Sequence, residues 1–573
     1  MKSWAQKYKA TLIPFGYLLL TCVVFGASLQ FDFLTWDDNE LLTDHPLFQQ
    51  LTWRNIISFW NPWLLRTGVL LDYSPVRDMS YVIDRTLFGW KAWGFHGVQL
   101  LLHSTNAYLL FRILSRRISE TSAWLVALLW MVHPLCVEPV VWISSRKDLL
   151  FVFFFLLAWQ AHECQRNKST LGYGLGALLS KYTAIVLGPF LFLRQRRERK
   201  KNLYAPLLLT LVAVLLGAFA MWANQQRDTL VSLSDAPSAL HAWPAAFQAV
   251  SHFFEKSLYP VSLSARYVQH PEWTWMHPRV LLGAALTVGL VVGAFKHESL
   301  LLLLLGLVPS FIQMTVGHPI WMADRYAYLS LIGFLWFVVE MGARYFRPYV
   351  VVGMVLALVL SVTSAVRVQT WKNPLTLWKD TVVKSPEFYL NQGNAGIAYM
   401  NAGNVPSAVS SLERALKINP SWTKGYLYLA DTYLQLGEPA RAKDLVQQSE
   451  KLERPQVNDE VYRAILFGRL GDQEKAGGLF KNLLVRQPNN PYVLGNAGIF
   501  YVMNRQPEKA MELWQQAVAV SPYDAMARVN RGIYYFMAKQ CDRALEELSL
   551  AGRPSIEENK KIAWLREQCQ QKQ

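Results

Sequence analysis

The sequence predicts an all-α protein in two parts: a polytopic helical membrane domain of about eleven spans, then a C-terminal α-solenoid. Three observations carry this. Apolar runs at 11–29, 202–223, 279–295, 299–316 and 350–366 are each long enough to cross a bilayer core. Short basic clusters separate many of the apolar stretches. After Trp371 the long runs stop, and a 34-residue repeat takes over.

The net charge of +16, from 57 Lys and Arg against 41 Asp and Glu, is placed for a membrane and not for nucleic acid. Lys2/Lys7/Lys9, Arg116/Arg117, Arg166/Lys168, Arg194 to Lys201 and Arg344/Arg347 fall between apolar runs, the pattern that sets orientation in a bilayer. With the N-terminus inside, the first run is a retained signal-anchor at 11–29. A long external segment, 30–90, follows. Further spans are expected near 94–114, 121–135 and 148–162, then a short hairpin of 171–179 and 184–193 with Lys181 near its outer tip. Span 202–223 leads to a second external segment, 224–278. Spans 279–295, 299–316, 327–341 and 350–366 complete the count and place the C-terminal part outside. The five cysteines show no metal-ligand spacing, and Cys541 and Cys569 are the pair to examine for a disulfide.

Aligned at 389, 423, 457, 491 and 525, the C-terminal part places Gly396, Ala430, Ala464, Gly498 and Gly532 at position eight. Tyr399, Tyr433, Phe467, Tyr501 and Tyr535 hold position eleven, and Ala408, Ala442, Ala476, Ala510 and Ala544 hold position twenty. Small residues at eight and twenty let two helices approach, and the aromatic fills the space beside them. Pro420, Pro488 and Pro522 end their repeats. This is the tetratricopeptide repeat (TPR) pattern, assigned to 389–573 with a C-terminal helix after the fifth repeat. Such a solenoid offers a groove for a peptide or protein, with Asn394, Tyr433 and Asn496 read as groove residues. Residues 371–388 are read as a connecting segment.

Five polar clusters lie at expected external edges of the membrane part. They are Asp37-Asp38-Asn39-Glu40; His133-Pro134 with Glu138 and Arg146-Lys147-Asp148; Ser180-Lys181-Tyr182; Lys256 with Arg266-Tyr267 and His270-Pro271; and Asp324-Arg325-Tyr326. Charge near membrane depth is costly and is usually partnered or functional. Each cluster alone favours an interfacial anchor or a helix–helix ion pair over a site. On one face together, carboxylates suit proton removal and cations suit a phosphate leaving group. A non-catalytic scaffold whose repeats recruit an envelope protein is the competing reading, and an enzyme acting on a lipid or glycan acceptor is a third.

The order of motifs resembles a known family. Asp37-Asp38 is followed by Tyr73-Ser74-Pro75-Val76 and by Phe95-His96 with Leu102-His103. The stretch His133-Pro134-Leu135-Cys136-Val137-Glu138 to Ser145-Arg146-Lys147-Asp148 comes next, then Met322-Ala323-Asp324-Arg325-Tyr326, then Trp371-Lys372-Asn373-Pro374-Leu375-Thr376-Leu377-Trp378 and the repeats. This is similar to bacterial relatives of the transmembrane-and-TPR O-mannosyltransferases, within the C-type glycosyltransferase (GT-C) superfamily.

The resemblance implies a GT-C-like membrane domain over 1–370 in the inner membrane of a bacterium. It implies a polyprenyl-phosphate sugar as donor, a protein hydroxyl as acceptor on the periplasmic face, and inversion at the anomeric carbon. It gives Asp37, Asp38, Glu138 and His133 as catalytic candidates. Arg146, Lys147, Lys181, Lys256, Arg325 and Tyr326 are the candidates for the donor phosphate. Some superfamily members use a divalent metal, Mg or Mn; Asp37 and Glu138 would be its ligands here. The family's Tyr-Arg-Pro stands as Tyr73-Ser74-Pro75, with Arg77 two places on, and position 182 is a tyrosine.

Overall fold

The computed structural model describes residues 2–49, 51–66, 70, 72–198, 203–225, 239–267, 275–315, 322–452, 456–552 and 556–571. Every regular element among them is helical. The chain divides into two compact units. Met1–Leu41 with Ile56–Ser385 form the first, and Leu42–Asn55 with Pro386–Gln573 form the second. The connecting segment read at 371–388 thus contributes its first fifteen residues to the first unit, and 42–55, from the first loop, joins the repeats.

In the first unit, helices underlie each expected crossing, but they are unequal. Leu12–Gln30, Tyr204–Ala223, Asp324–Tyr345 and Tyr349–Thr370 are long and apolar enough to cross a membrane alone. Glu120–Met131 and Pro134–Val141 make one crossing only as a pair bent by 57°. Pro278–Ala294 and Glu298–Pro309 are apolar but shorter. The helix Ala92–Leu114 has the length, yet buries His96, Gln99, His103 and Asn106. The expected hairpin is built from Asn167–Ser180, a 3₁₀ turn Tyr182–Val186 and Leu187–Arg197.

Among the helices not foreseen, two are long. Pro75–Phe88 lies in the first loop, and Ala239–Leu258 lies in the stretch read as the second external segment. The latter buries Ala245, Ala246, Ala249, Val250 and Phe253 at helical spacing. Its backbone runs against Gly283, where an added Cβ would stand 1.7 Å from the Phe247 carbonyl oxygen. Its polar residues, Gln248, Ser251, His252 and Lys256, break up the apolar run.

Lipid tails are as apolar as a leucine core, so close packing and hydrogen bonds hold such a unit together. The polar face of Ala92–Leu114 does this for the bent pair. Gln99 Nε2 donates to the Trp142 carbonyl at 2.9 Å, and Asn106 Nδ2 donates to the Leu149 carbonyl at 3.0 Å. His103 bridges the Met131 carbonyl (2.9 Å) and the Tyr328 hydroxyl (2.8 Å). Tyr81 Oη donates to the Ile143 carbonyl at 2.7 Å, and Ser364 Oγ donates to that of Val132 at 2.7 Å. A helix broken at membrane depth is tolerated where neighbours satisfy its freed backbone groups.

In the second unit, the first helix of each repeat begins at Tyr389, Thr423, Val457, Pro491 and Ala525, the residues that open the aligned blocks. Ala408, Ala442, Ala476, Ala510 and Ala544 are fully buried. A Cβ at Gly498 would strike Trp514 Nε1 at 2.2 Å, so this repeat takes glycine opposite a tryptophan. The turn between paired helices has positive φ at Gly403, Gly437 and Gly471, and at Arg505 and Lys539 in the same register. The final helix Ile556–Gln570 packs on the fifth repeat. Phe48 of 42–55 is fully buried, and Gln49 Oε1 lies 2.4 Å from where a Cβ on Gly552 would sit. Cys541 and Cys569 form no disulfide; all five cysteines are free thiols.

Candidate functional site

The bent pair sets the site. His133 ends the first arm, a 3₁₀ turn Pro134–Cys136 follows, and the five-residue helix Val137–Val141 carries Glu138 into the unit. Glu138 is wholly buried. The 3₁₀ turn Asp324–Tyr326 meets it. The Arg325 guanidinium pairs with Glu138 Oε1, and its backbone N–H donates to Oε2 at 3.2 Å. Arg325 also lies over the rings of Trp142 (5.2 Å) and Tyr326 (5.0 Å).

Asp37 and Asp38 have opposite surroundings. Asp38 Oδ2 accepts from the Leu34 N–H at 2.8 Å, and Oδ1 accepts from the Ser144 N–H at 2.9 Å and from its hydroxyl. Burial pushes Asp38 up to about 6 against those bonds. The half-buried Asp37 carboxylate makes no hydrogen bond or ion pair with any described residue. Burial raises it above the ordinary carboxylate range, while Arg325, Lys147 and Arg266 pull it back. Neighbouring Trp36 stacks on Trp142, with centroids 4.6 Å apart and planes at 11°, and meets Trp378 edge-on at 5.1 Å. Trp371 stacks behind Trp142 at 5.9 Å. The stretch read as a connector therefore forms the wall behind the Asp37 loop.

Lys147 Nζ donates to Asp72 Oδ2 at 2.8 Å, and Arg77 Nη1 reaches Asp72 Oδ1 at 2.6 Å. Burial pushes Asp72 upward, but Arg77 and Lys147 overcome it and hold its carboxyl well below the usual range. Arg77 thus shares an acid with Lys147, three places beyond where the resemblance puts an arginine. Lys181 Nζ donates to Asp148 Oδ1 at 2.5 Å and lies 5.6 Å from the Tyr326 ring centre. Asp148, Lys181, Thr183, Arg325 and Tyr326 line an open cavity whose apolar wall includes Phe151, Val186 and Leu329.

The structure brings Asp37, Glu138, Lys147, Lys181, Arg325 and Tyr326 into one neighbourhood and gives other candidates different tasks. Asp38 ties the first loop to Ser144. His133 Nδ1 accepts from the Leu135 N–H at 3.2 Å and Nε2 bonds the Ser257 carbonyl at 3.2 Å, so both ring nitrogens serve the backbone. Arg146 is fully buried, bound to Asp84 (2.8 Å), Gln99 (2.6 Å) and the Phe95 carbonyl (2.8 Å), which leaves it no route to a phosphate. Lys256 lines a different cavity with His252, Met322 and Asp324, and donates to Glu255 (3.0 Å) and the Val261 carbonyl (3.1 Å). His270 and Pro271 lie outside the described residues.

In the solenoid, Tyr433 and Asn496 are buried: Tyr433 Oη donates to Glu413 at 2.8 Å, and Asn496 Nδ2 to the Tyr492 carbonyl at 2.8 Å. Asn394 is half-buried. Unforeseen was an inter-repeat knot in which Asp431 takes Tyr462 Oη at 2.6 Å and pairs with Arg469.

The donor set at Glu138 does not suit a cation, since Arg325 holds both carboxylate oxygens. Among the described residues no three His, Cys, Asp or Glu side chains are grouped to hold a metal ion. Asp37 and Glu138 are therefore poor metal ligands in this arrangement.

Comparison with known proteins adds to this geometry. A tetratricopeptide-repeat family model matches residues 394–452. The homologues of the chain are protein O-mannosyl-transferases. It is 29% identical over 164 residues to Protein O-mannosyl-transferase tmtc2 of Xenopus laevis, covering 28% of this chain and 19% of that protein. It is 27% identical over 246 residues to the human Protein O-mannosyl-transferase TMTC2, covering 37% and 29%. A protein O-mannosyl-transferase of Caenorhabditis elegans is 24% identical over 441 residues, covering 70% of this chain and 62% of its own length. The matches thus span less than a third of the two vertebrate relatives. Among solved structures, MamA aligns with 29% of this chain and 96% of its own, at 18% identity and a TM-score of 0.23. A tetratricopeptide repeat protein from Parabacteroides merdae aligns with 46% and 97%, at 14% identity and a TM-score of 0.31.

Proposed function

We propose that this chain is a membrane glycosyltransferase that moves a sugar from a polyprenyl-phosphate donor to a hydroxyl of a protein acceptor on the periplasmic face. The solenoid holds the acceptor. The observation that carries this is Asp37: a carboxylate with no hydrogen bond or ion pair among the described residues, raised by burial and within the field of Lys147, Arg266 and Arg325, the last of which lines the open cavity. The relatives' activity supports the reaction class.

In this reading Asp37 takes the proton from the acceptor hydroxyl. The oxygen attacks the anomeric carbon from the face opposite the phosphate. The new carbon–oxygen bond forms as the bond to phosphate breaks, and the electron pair leaves on the phosphate, so the product is inverted. Lys147, Lys181 and Arg325 stabilise the departing phosphate. Glu138 acts by holding Arg325 in place. Arg325 and Lys181 each begin with a carboxylate partner, so a phosphate enters by sharing them. The apolar wall suits the start of the prenyl chain.

The test is transfer by the purified full-length chain in lipid nanodiscs, given polyprenyl-phosphate mannose and an envelope-protein extract, with Asp37→Asn as the control. Mass-resolved hexose on protein from the wild type alone is the expected result. No hexose on protein from either form rejects the reading and favours a scaffold. Labelled lipid or glycan with no labelled protein keeps the enzyme and changes its acceptor.

A further inference from the structure

One group in the cavity is left unused by the reaction above. Asp148 opens the helix Arg146–Glu163 and is 3% exposed. Its Oδ1 accepts from Lys181, but its Oδ2 is buried without any hydrogen-bond partner. Glu138, the neighbouring acid, has both oxygens engaged by Arg325. A buried acceptor left without a donor costs about 1–3 kcal/mol, and more when charged. Asp148 lines the cavity, and a small turn of its carboxylate would let a ligand's donor satisfy that spare capacity.

The chemistry of the missing partner follows from the acceptor. A phosphate diester has no proton to donate, and its charge is repelled by a carboxylate oxygen. A sugar hydroxyl donates. We propose that Asp148 Oδ2 accepts a hydrogen bond from one hydroxyl of the transferred sugar, making Asp148 a specificity-determining residue. Its Oδ1 meanwhile fixes Lys181 beside the same ligand. The inference rests on the donor reading given above and names which side chain tells a sugar-bearing lipid from a bare lipid phosphate.

The experiment measures binding of three probes to the full-length chain in nanodiscs: polyprenyl phosphate, polyprenyl-phosphate mannose, and a series of the latter with single hydroxyls replaced by hydrogen or fluorine. Fluorine keeps acceptor character and loses the donor. One position in the series is expected to weaken binding by about ten- to a hundredfold for both replacements. Asp148→Asn should weaken the mannosyl lipid relative to polyprenyl phosphate, whose own affinity also reads the loosened Lys181, and erase the penalty at that one position. The analogue series uses unaltered protein, so it decides the matter even where the variant folds poorly. A series with no sensitive position, or an Asp148→Asn loss shared equally by both lipids, overturns this inference alone. Failure of the wild type to bind either lipid overturns the donor reading and this inference with it.

Discussion

The helix Arg146–Glu163 carries an ionic cluster at each end, about 27 Å apart at 1.5 Å per residue. At its C-terminal end Glu163 joins Arg117 (2.7 Å), Arg194 (3.4 Å), Glu198 and Glu298. Arg194 reaches Glu198 at 2.7 Å and Glu298 at 2.8 Å, and both arginines lie over the Trp159 ring, at 5.6 and 6.0 Å. There each charged group meets an opposite one, and the network ties together the ends of several helices. At the N-terminal end the composition is similar, but among the described residues Asp37 has no hydrogen-bond or ion-pair partner and Asp148 has one spare oxygen. Ionic composition alone does not separate a structural lock from a candidate site; the carboxylate oxygens left without an ion pair among the described residues mark the difference here. Buried ion pairs are weak evidence for stability in any case, because desolvation offsets their attraction.

The largest expected effect breaks the comparison at its active end. Asp37→Asn should lower the transfer rate by about 10²–10⁴-fold and leave the melting temperature within about 1 °C, since the side chain makes no hydrogen bond or ion pair among the described residues. Retained transfer would remove Asp37 from the chemistry. A base works deprotonated, so transfer rises with pH as Asp37 loses its proton, and burial sets that limb above the ordinary 3.8. Lys147→Ala removes a cation that lowers the Asp37 value, so the acid limb of the pH–rate profile should move to higher pH. An unmoved limb assigns it to another group.

Next in size is Glu138→Gln. It leaves Arg325 buried without its counter-charge, at about 3–5 kcal/mol of stability measured by denaturant unfolding. Loss of transfer in that variant speaks of folding as much as of chemistry, which makes Asp37 the cleaner probe. Arg194→Met, in the far cluster, should cost about 1–3 kcal/mol with the transfer rate per folded molecule unchanged. A changed rate would show that the two ends are coupled. The smallest effect lies in the solenoid. Arg505→Gly relieves a left-handed backbone at φ 59° and should add about 1 kcal/mol, read as a higher unfolding midpoint.

The two regions were also unequally legible in the sequence. The repeats repeat, so a residue type at one register is checked four more times, and the helix starts follow. The membrane helices were visible wherever apolar runs were unbroken. Ala239–Leu258 was not, because its buried Gln248, Ser251 and His252 interrupt the run. At the site, Asp37, Glu138 and Arg325 stood out as charges at membrane edges. Sequence gave no way to tell them from Asp38, His133 and Arg146, which have the same chemistry and face backbone or buried acids instead. Tyr433 and Asn496 show the same limit on the solenoid. The supporting row of Gln99, His103 and Asn106 was readable as one helix face from its spacing of four and three, but its purpose appears only with the broken span it holds.

The left-handed turn of the solenoid carries a directional consequence. Glycine occupies it in the first three repeats, while Arg505 and Lys539 occupy it in the last two. Stability in such arrays is a sum of repeat and neighbour terms, so a small penalty repeated at one end tilts the whole row. Melting should begin among the last repeats and travel toward the first, like a zip opened from its looser end. Amide exchange would record this as protection falling stepwise along the row from Gly403 to Lys539. Whatever the solenoid holds, its first repeats are the part that stays folded longest while it lets go.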